Sequence, residues 1–473
     1  MKKAVNILFL IFILLLFYLT KECIILPLTI SFSFYMLFNS LFSTTDIKEV
    51  VGNHHKNKEY NLRNNTFIYT IIYILLIGVI LTVISYFLGT ILNIEKLNII
   101  NIFMTMSLVS NLLLKIIKDY LEIIGYKKIS NNIVNIFYII VLSLLCIIGI
   151  LLFKVFKLDI GISLIILYSI NVFVFIILGI ILYITIFKKK KMYKNIKKEK
   201  NLNILKKIII RDKRIVIYNI IKNSYIYISI IILYYILINK YNYSYELVSK
   251  SVSDIYFYGL MIIYFIHIII DKKLNVNYMN IKDNFNNNFN KIIKVSLNLC
   301  ILLLVISKPL SVILIGFDCN ILSALVPLLF FYIIYNYIIV INIKYTKEIS
   351  FITVLLSGIF IKIIFELPFI NTIYRMGYSL ILGSTFSSVL GFTVSIIIGT
   401  IFIKQKFKTN LLGNFNNILN IIYESIIYTL LLVLCTLIIK VDTTTWLTSL
   451  LVVTFYIFVT VIFYKIKTWI IEK

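Results

Sequence analysis

Lys362 and Glu366 stand four residues apart inside a long apolar run, a spacing that puts both on one face of a helix. An ionisable side chain in such a run is costly in hydrocarbon unless it faces protein or water, so residues of this kind are where chemistry is to be sought. These two can neutralise each other, which favours a structural pair over a gate. Lys222 lies about two turns into another apolar run, and either faces the interior or snorkels to the membrane surface. Lys115 and Lys118, with Asp119, close a further run, where capping or snorkelling is the simpler reading. Asp254 opens a run, and Asp46 and Lys48 close one, where a solvated loop start is favoured. Lys308 and Arg375 fall near run ends, as interfacial anchors do. His54 and His55 have no acidic or cysteine partner at ligand spacing and read as solvated. His267 is isolated, which favours a packed histidine over a proton relay. Cys23, Cys146, Cys300, Cys319 and Cys435 are far apart, which fits buried thiols rather than a metal site or disulfides. With no nucleotide-binding loop, paired catalytic carboxylates or nucleophile elbow, neither an enzyme nor a cofactor is expected.

The elements that position these groups are transmembrane helices. The 473-residue chain is 61% hydrophobic, far too apolar for a soluble protein. Its apolar runs fall at about 4–20, 23–42, 66–92, 99–121, 131–153, 161–187, 215–238, 255–270, 295–316, 321–343, 349–367, 377–403, 415–439 and 444–464, each long enough to cross the hydrocarbon core. Backbone groups in lipid must be satisfied within the segment, so the runs are helices, and the strict alternation of a barrel strand is missing. Charge fixes their direction. With the N-terminus inside, and Lys115 and Lys118 counted with the loop they border, 36 basic residues fall in inward segments and 8 in outward ones. A missed helix would scramble every later sign, so the pattern predicts about fourteen helices with both ends in the cytoplasm. The net charge of +27 therefore sits mostly on short inward loops, where it meets anionic headgroups rather than nucleic acid. Lys2 and Lys3 followed by an apolar run resemble a signal peptide. No small-residue cleavage site precedes Lys21-Glu22-Cys23, so the run reads as an uncleaved first span.

The connection 188–214 opens with Lys188-Lys189-Lys190-Lys191 and divides the chain into an N-terminal lobe (1–187), a basic linker (188–214), a second lobe (215–403) and a final pair of spans (404–473). The lobes resemble each other. Asn64-Asn65-Thr66-Phe67, Ser85, Leu88 and Ile91 can be laid on Asn286-Asn287-Asn288-Phe289, Ser307, Leu310 and Ile313 at a constant offset of 222 residues. A parallel repeat of six helices with the substrate site between the halves is a recurrent transporter plan. Trp446 and Trp469 bracket the last span, as interfacial aromatics do. Pro27, Pro309, Pro327 and Pro368 are expected at or near span ends, where a missing N–H costs least.

Several stretches carry a family resemblance. Thr44 to Arg63 (TTDIKEVVGNHHKNKEYNLR) is similar to the loop after span two in polysaccharide exporters. Residues 105–145 are similar to their spans four and five with the intervening Gly-Tyr turn. Residues 241–261 resemble the start of their span eight, and KPLSVILIG (308–316) the close of span nine. TVLLSGIFIKIIFELPF (353–369), with Lys362, and GYSLILGSTFSSVLGF (377–392) resemble spans eleven and twelve. In order and spacing these resemble the multidrug/oligosaccharidyl-lipid/polysaccharide (MOP) exporter superfamily, in particular its stage V sporulation protein B-like and lipid II flippase-like branch. The resemblance implies an all-α protein of two six-helix lobes around a cavity that alternates between inward- and outward-facing states, with helices 13 and 14 forming a groove for a lipid tail. One departure stands out. The family's first helix is longer, contains glycine and carries a cavity-facing basic residue, whereas no glycine precedes Gly52 here. Either Lys21 substitutes for that cation or part of the site is lost.

The resemblance implies that a polyprenyl-diphosphate-linked glycan precursor, lipid II or a lipid-linked oligosaccharide, is flipped across a bacterial cytoplasmic membrane. A diphosphate needs a cationic, water-filled path through hydrocarbon. On this reading Lys222, Lys21, Lys48, Lys115 and Lys362 are the candidate substrate contacts, and Asp254 and Glu366 the candidate ion-coupling acids. The membrane potential or an ion gradient would supply the bias. A monomer is expected, with the lipid-linked glycan and anionic lipids as partners and cell-wall synthesis enzymes as possible associates. A cation-coupled multidrug exporter of the same superfamily is the alternative, although that branch has twelve spans and acidic cavity residues. A glycan polymerase needs a longer external loop than 239–254, and a non-transporting scaffold remains open.

Overall fold

The computed structural model describes residues 26–41, 51–52, 55–57, 60–92, 94, 96–182, 217, 220–221, 230, 233–234, 237–239, 242–253, 281–315, 321–407, 415–438 and 445–472. Every regular element among them is helical: α1 (Leu26–Leu41), α2 (Tyr60–Ile91), α3 (Leu97–Ile123), α4 (Lys127–Ile150, prolonged by one π turn, Leu151–Val155), α5 (Ile160–Leu182), α6 (Tyr245–Ser253), α7 (Ile281–Ile315), α8 (Ile321–Tyr345), α9 (Glu348–Arg375), α10 (Leu380–Phe407), α11 (Phe415–Ile438) and α12 (Trp446–Glu472), with a three-residue turn at Leu237–Asn239. Ten of these, α2–α5 and α7–α12, are long and apolar enough to cross a membrane. They coincide with the third to sixth and ninth to fourteenth expected spans, and α1 falls within the second. The first and eighth spans and most of the seventh lie outside the described residues, as do the basic linker, Lys21, Lys48, Lys222 and Asp254. The described residues are all-helical, and the chain is a multi-pass membrane protein.

It divides into two compact units, Met1–Asn242 and Tyr243–Lys473. In the first, α3 is the hub and packs against α1, α2, α4 and α5. In the second, α8 packs against α7, α9 and α10, the α9–α10 hairpin is the most extensive pairing, and α11 and α12 both lie on α7. The pairings α2–α3, α3–α4, α3–α5 and α4–α5 recur as α7–α8, α8–α9, α8–α10 and α9–α10. Phe67 of α2 stacks on Tyr120 of α3 with centroids 4.0 Å apart, and Phe289 of α7 on Tyr337 of α8 at 6.3 Å. Phe67 and Phe289 are the aromatic pair matched by the 222-residue offset.

The units are built inside-out. Leu76 and Val79 on α2, Phe173 on α5 and Leu437 on α11 are exposed, whereas Thr66, Thr70, Ser85, Asn101, Ser296, Asn298, Ser307 and Ser311 are buried. Lipid tails are as apolar as leucine, so helices associate through close packing and interhelical hydrogen bonds rather than by hiding apolar faces. Many buried hydroxyls satisfy themselves on their own helix, as Thr66 does on the Leu62 carbonyl at 2.7 Å and Ser307 on that of Leu304 at 2.8 Å. Asn101 reaches across, donating from Nδ2 to the Ser85 carbonyl at 3.2 Å.

Two turns use the same device. Gly125 after α3 and Gly377 after α9 have φ of 97° and 83°, a region open to glycine. The glycine N–H donates to Glu122 and Tyr374 respectively, and the next N–H, of Tyr126 or Tyr378, to Leu121 or Ile373. This is the Schellman closure, which satisfies the last carbonyls of a helix. Pro27 lies in the first turn of α1, as expected, but the other prolines differ from expectation. Pro309, Pro327 and Pro368 lie inside α7, α8 and α9, and α9 runs on through Pro368 to Arg375. The Pro368 carbonyl accepts the Thr372 hydroxyl at 2.8 Å, so local bonding continues past the missing N–H.

Candidate functional site

Lys362 sits near the middle of α9, about 21 Å along the helix at the usual rise per residue. It belongs to a stripe of buried residues four apart: Val354, Gly358, Lys362, Glu366 and Ile370. From α10 the facing stripe is Gly383, Ser387, Gly391, Ser395 and Gly399, also four apart. Small residues at this spacing let membrane helices approach backbone to backbone. A Cβ on Gly358 would lie 2.7 Å from the Gly391 carbonyl, and one on Gly391 would lie 2.6 Å from the Gly358 carbonyl and 3.3 Å from Lys362 Cβ. The seam is stitched by Ser395, whose hydroxyl donates to the Val354 carbonyl at 2.8 Å.

Within that seam Lys362 Nζ lies 3.5 Å from Glu366 Oε1, with side-chain exposures of 3% and 0%. Ser384 of α10 donates to the same carboxylate oxygen at 3.0 Å. Withdrawing two charges from water costs several kcal/mol each, offset only by close pairing and added hydrogen bonds. At 3.5 Å the attraction is roughly 5 kcal/mol at an effective dielectric of 20. The pair is therefore self-neutralising, and the spacing in sequence foretold it. In this conformation the ammonium is enclosed between α9 and α10 rather than presented to solvent.

A second cluster lies at the start of α2. Arg63, buried to 6% exposure, donates from Nε and Nη2 to Asn64 Oδ1 at 3.1 and 3.0 Å, and its Nη1 lies 3.0 Å from His55 Nδ1. Its guanidinium stands 5.7 Å from the centroid of the Tyr120 ring, and the Tyr120 hydroxyl also donates to Asn64 Oδ1. The cluster ties the end of α3 to the start of α2. His55, expected to be solvated, is half-buried and bonded to Arg63. A third network docks the last helices on α7. Asn298 donates to Tyr464 of α12 and accepts from Ser425 of α11 at 3.0 Å, Lys294 pairs with Glu424, and Tyr428 meets Thr460 at 2.8 Å.

Of the residues singled out from the sequence, the structure joins Lys362 to Glu366 in the second unit. Lys115 is exposed on α3 in the first unit, and Lys118 half-buried beside buried Asp119. Lys308 and Arg375 are exposed. His54 and His267 join Lys21, Lys48, Lys222 and Asp254 outside the described residues. Sequence reasoning missed Ser384 and the four-residue Gly/Ser stripe of α10, although the stripe is legible as spacing. Arg63 and Asn64 were missed for another reason: their partner Tyr120 is remote in sequence.

No family model matches the chain, and no curated protein does either. Solved structures do. The lipid II flippase MurJ, in an inward closed conformation, matches at a TM-score of 0.56 and 18% identity over 98% of both chains. An outward-facing MATE-family multidrug resistance transporter of the MOP superfamily matches at 0.50 and 12% identity, over 86% of this chain and 92% of that one. The chain has the fold of the MOP transporters, and its end-to-end likeness to the lipid II flippase agrees with the branch that the sequence resembled.

Proposed function

We propose that this chain flips a polyprenyl-diphosphate-linked glycan precursor, lipid II or a lipid-linked oligosaccharide, across a bacterial cytoplasmic membrane by alternating access. The observation that carries the reading is the likeness to a lipid II flippase over nearly the whole of both chains. It includes α11 and α12, which lie beyond the two six-helix halves. The basic inward loops support it too, because they hold the protein against anionic headgroups on the side where such precursors are made. Lys222, Lys21, Lys48 and Lys115 are the proposed contacts for the diphosphate, which demands cations along its path. Asp254 is a proposed coupling acid. The protein works as a monomer, since the two-lobe plan needs no partner, and cell-wall synthesis enzymes are its proposed associates.

The MATE likeness gives the second reading, a cation-coupled multidrug exporter. Reconstitution separates the two. Liposomes holding the full chain and a fluorescent polyprenyl-diphosphate disaccharide are treated with a membrane-impermeant quencher. The proposal expects faster exchange of label between leaflets than in protein-free liposomes. No acceleration, together with uptake of an organic cation dye, would establish the exporter instead.

A further inference from the structure

Glu366 has features expected of an ion-coupling acid: it lies in a membrane helix one turn past the midpoint, is fully buried, and has a serine hydroxyl from the next helix on its carboxylate. Carboxylate and hydroxyl oxygens are the donors that a hard cation takes. Yet a cation is already there. The Lys362 ammonium lies 3.5 Å from Oε1, the oxygen that also accepts from Ser384. Its stem cannot swing out freely. A Cβ on Gly391 would lie 3.3 Å from Lys362 Cβ. The seam before Lys362 is closed by contact between the Gly358 and Gly391 backbones and by the Ser395 bond to Val354. The seam after it is closed by Gly383, where a Cβ would lie 2.6 Å from Ile370 Cα.

We propose that the Lys362 ammonium is the resident counter-ion of Glu366, standing where an exchangeable cation would have to bind. The α9–α10 hairpin then keeps a fixed charge balance and loads no free cation at Glu366 as the protein cycles. Lys362 is a positioning residue on this account, not a contact for the substrate. A tether explains the spacing: four residues place the ammonium one turn from the carboxylate, so the pair forms within a single helix. Ser384 joins it from the neighbouring helix and thereby locks the hairpin. The consequence for transport rests on the alternating-access reading, and any ion coupling must then use other groups, such as Asp254.

The test reads occupancy rather than transport, so it stands or falls independently of the cargo. Thermal unfolding of the purified full chain is compared in sodium, lithium and choline chloride at equal ionic strength. The wild type is expected to unfold at the same temperature in all three. Lys362→Ala vacates the cation position, and sodium or lithium should raise its midpoint by several degrees over choline. A sodium-specific rise in the wild type that Glu366→Gln abolishes would overturn the proposal, and so would a Lys362→Ala protein indifferent to all three salts. If Lys362→Ala is not recovered folded, Lys362→Met/Glu366→Gln decides. Recovery of the charge-free double variant supports a pair that needs only itself, and its loss as well refutes it.

Discussion

Adding one methyl group at Gly391 tests the helix seam that holds the buried pair. The new Cβ would sit 2.6 Å from the Gly358 carbonyl oxygen. A carbon normally approaches such an oxygen no closer than about 3.3 Å, so something must give by roughly 0.7 Å. The opposing atom is backbone in the body of α9 and cannot rotate away. On the other side Lys362 Cβ is 3.3 Å off, which blocks a sideways escape. Overpacking of this kind costs about 1–3 kcal/mol. Against it stands the better helix propensity of alanine, about 1 kcal/mol in a helix interior. Gly179→Ala isolates that second effect, because Gly179 lies within α5 with nothing near its missing Cβ. Subtracting one variant from the other leaves the packing cost alone. Thermal unfolding in detergent should place Gly391→Ala below the wild type by a few degrees, and Gly179→Ala at or above it. Equal midpoints for the two variants would refute the backbone contact between α9 and α10.

Three further perturbations check other parts of the account. Arg63→Lys removes the fork that holds Asn64 while keeping the charge, and should lower stability by about 1–3 kcal/mol; a fully tolerated lysine would show that the fork is idle. Tyr464→Phe deletes the hydroxyl that accepts from Asn298 and should cost about 1 kcal/mol, with proteolysis between α11 and α12 as a second readout of loosened docking. Lys115→Ala, at an exposed position, should leave stability within about 0.5 kcal/mol of the wild type, so a fall in lipid exchange without a fall in stability would mark it as a substrate contact.

Apolar length and charge bias made the membrane helices legible because lipid imposes both. A span must be long enough to cross hydrocarbon, and basic loops must alternate sides, whatever the protein does. Helix extent was less legible. Expected to start near residues 66 and 295, α2 and α7 begin at Tyr60 and Ile281, since polar stretches such as Asn286–Asn288 stay helical beyond the apolar run. Hydropathy reports what lies in lipid, not where hydrogen bonding stops. Pro368 misled for a related reason, because α9 continues through it. At the candidate site, the partnership of Lys362 with Glu366 followed from their spacing on one helix. Ser384 did not, because its place beside Glu366 depends on the Gly377 turn and on how α9 and α10 align. The bond from His55 to Arg63 was hidden in the same way, since it needs the loop before α2 to fold back on that helix.

The central claim is that this chain carries a lipid-linked glycan outward. Depleting it in its own host, with labelled wall precursors scored for accessibility from outside the cell, tests that claim most directly. The account predicts that outward-exposed precursor falls while the cytoplasmic pool rises, and that restoring the wild-type chain reverses both. Unchanged exposure on depletion would contradict it.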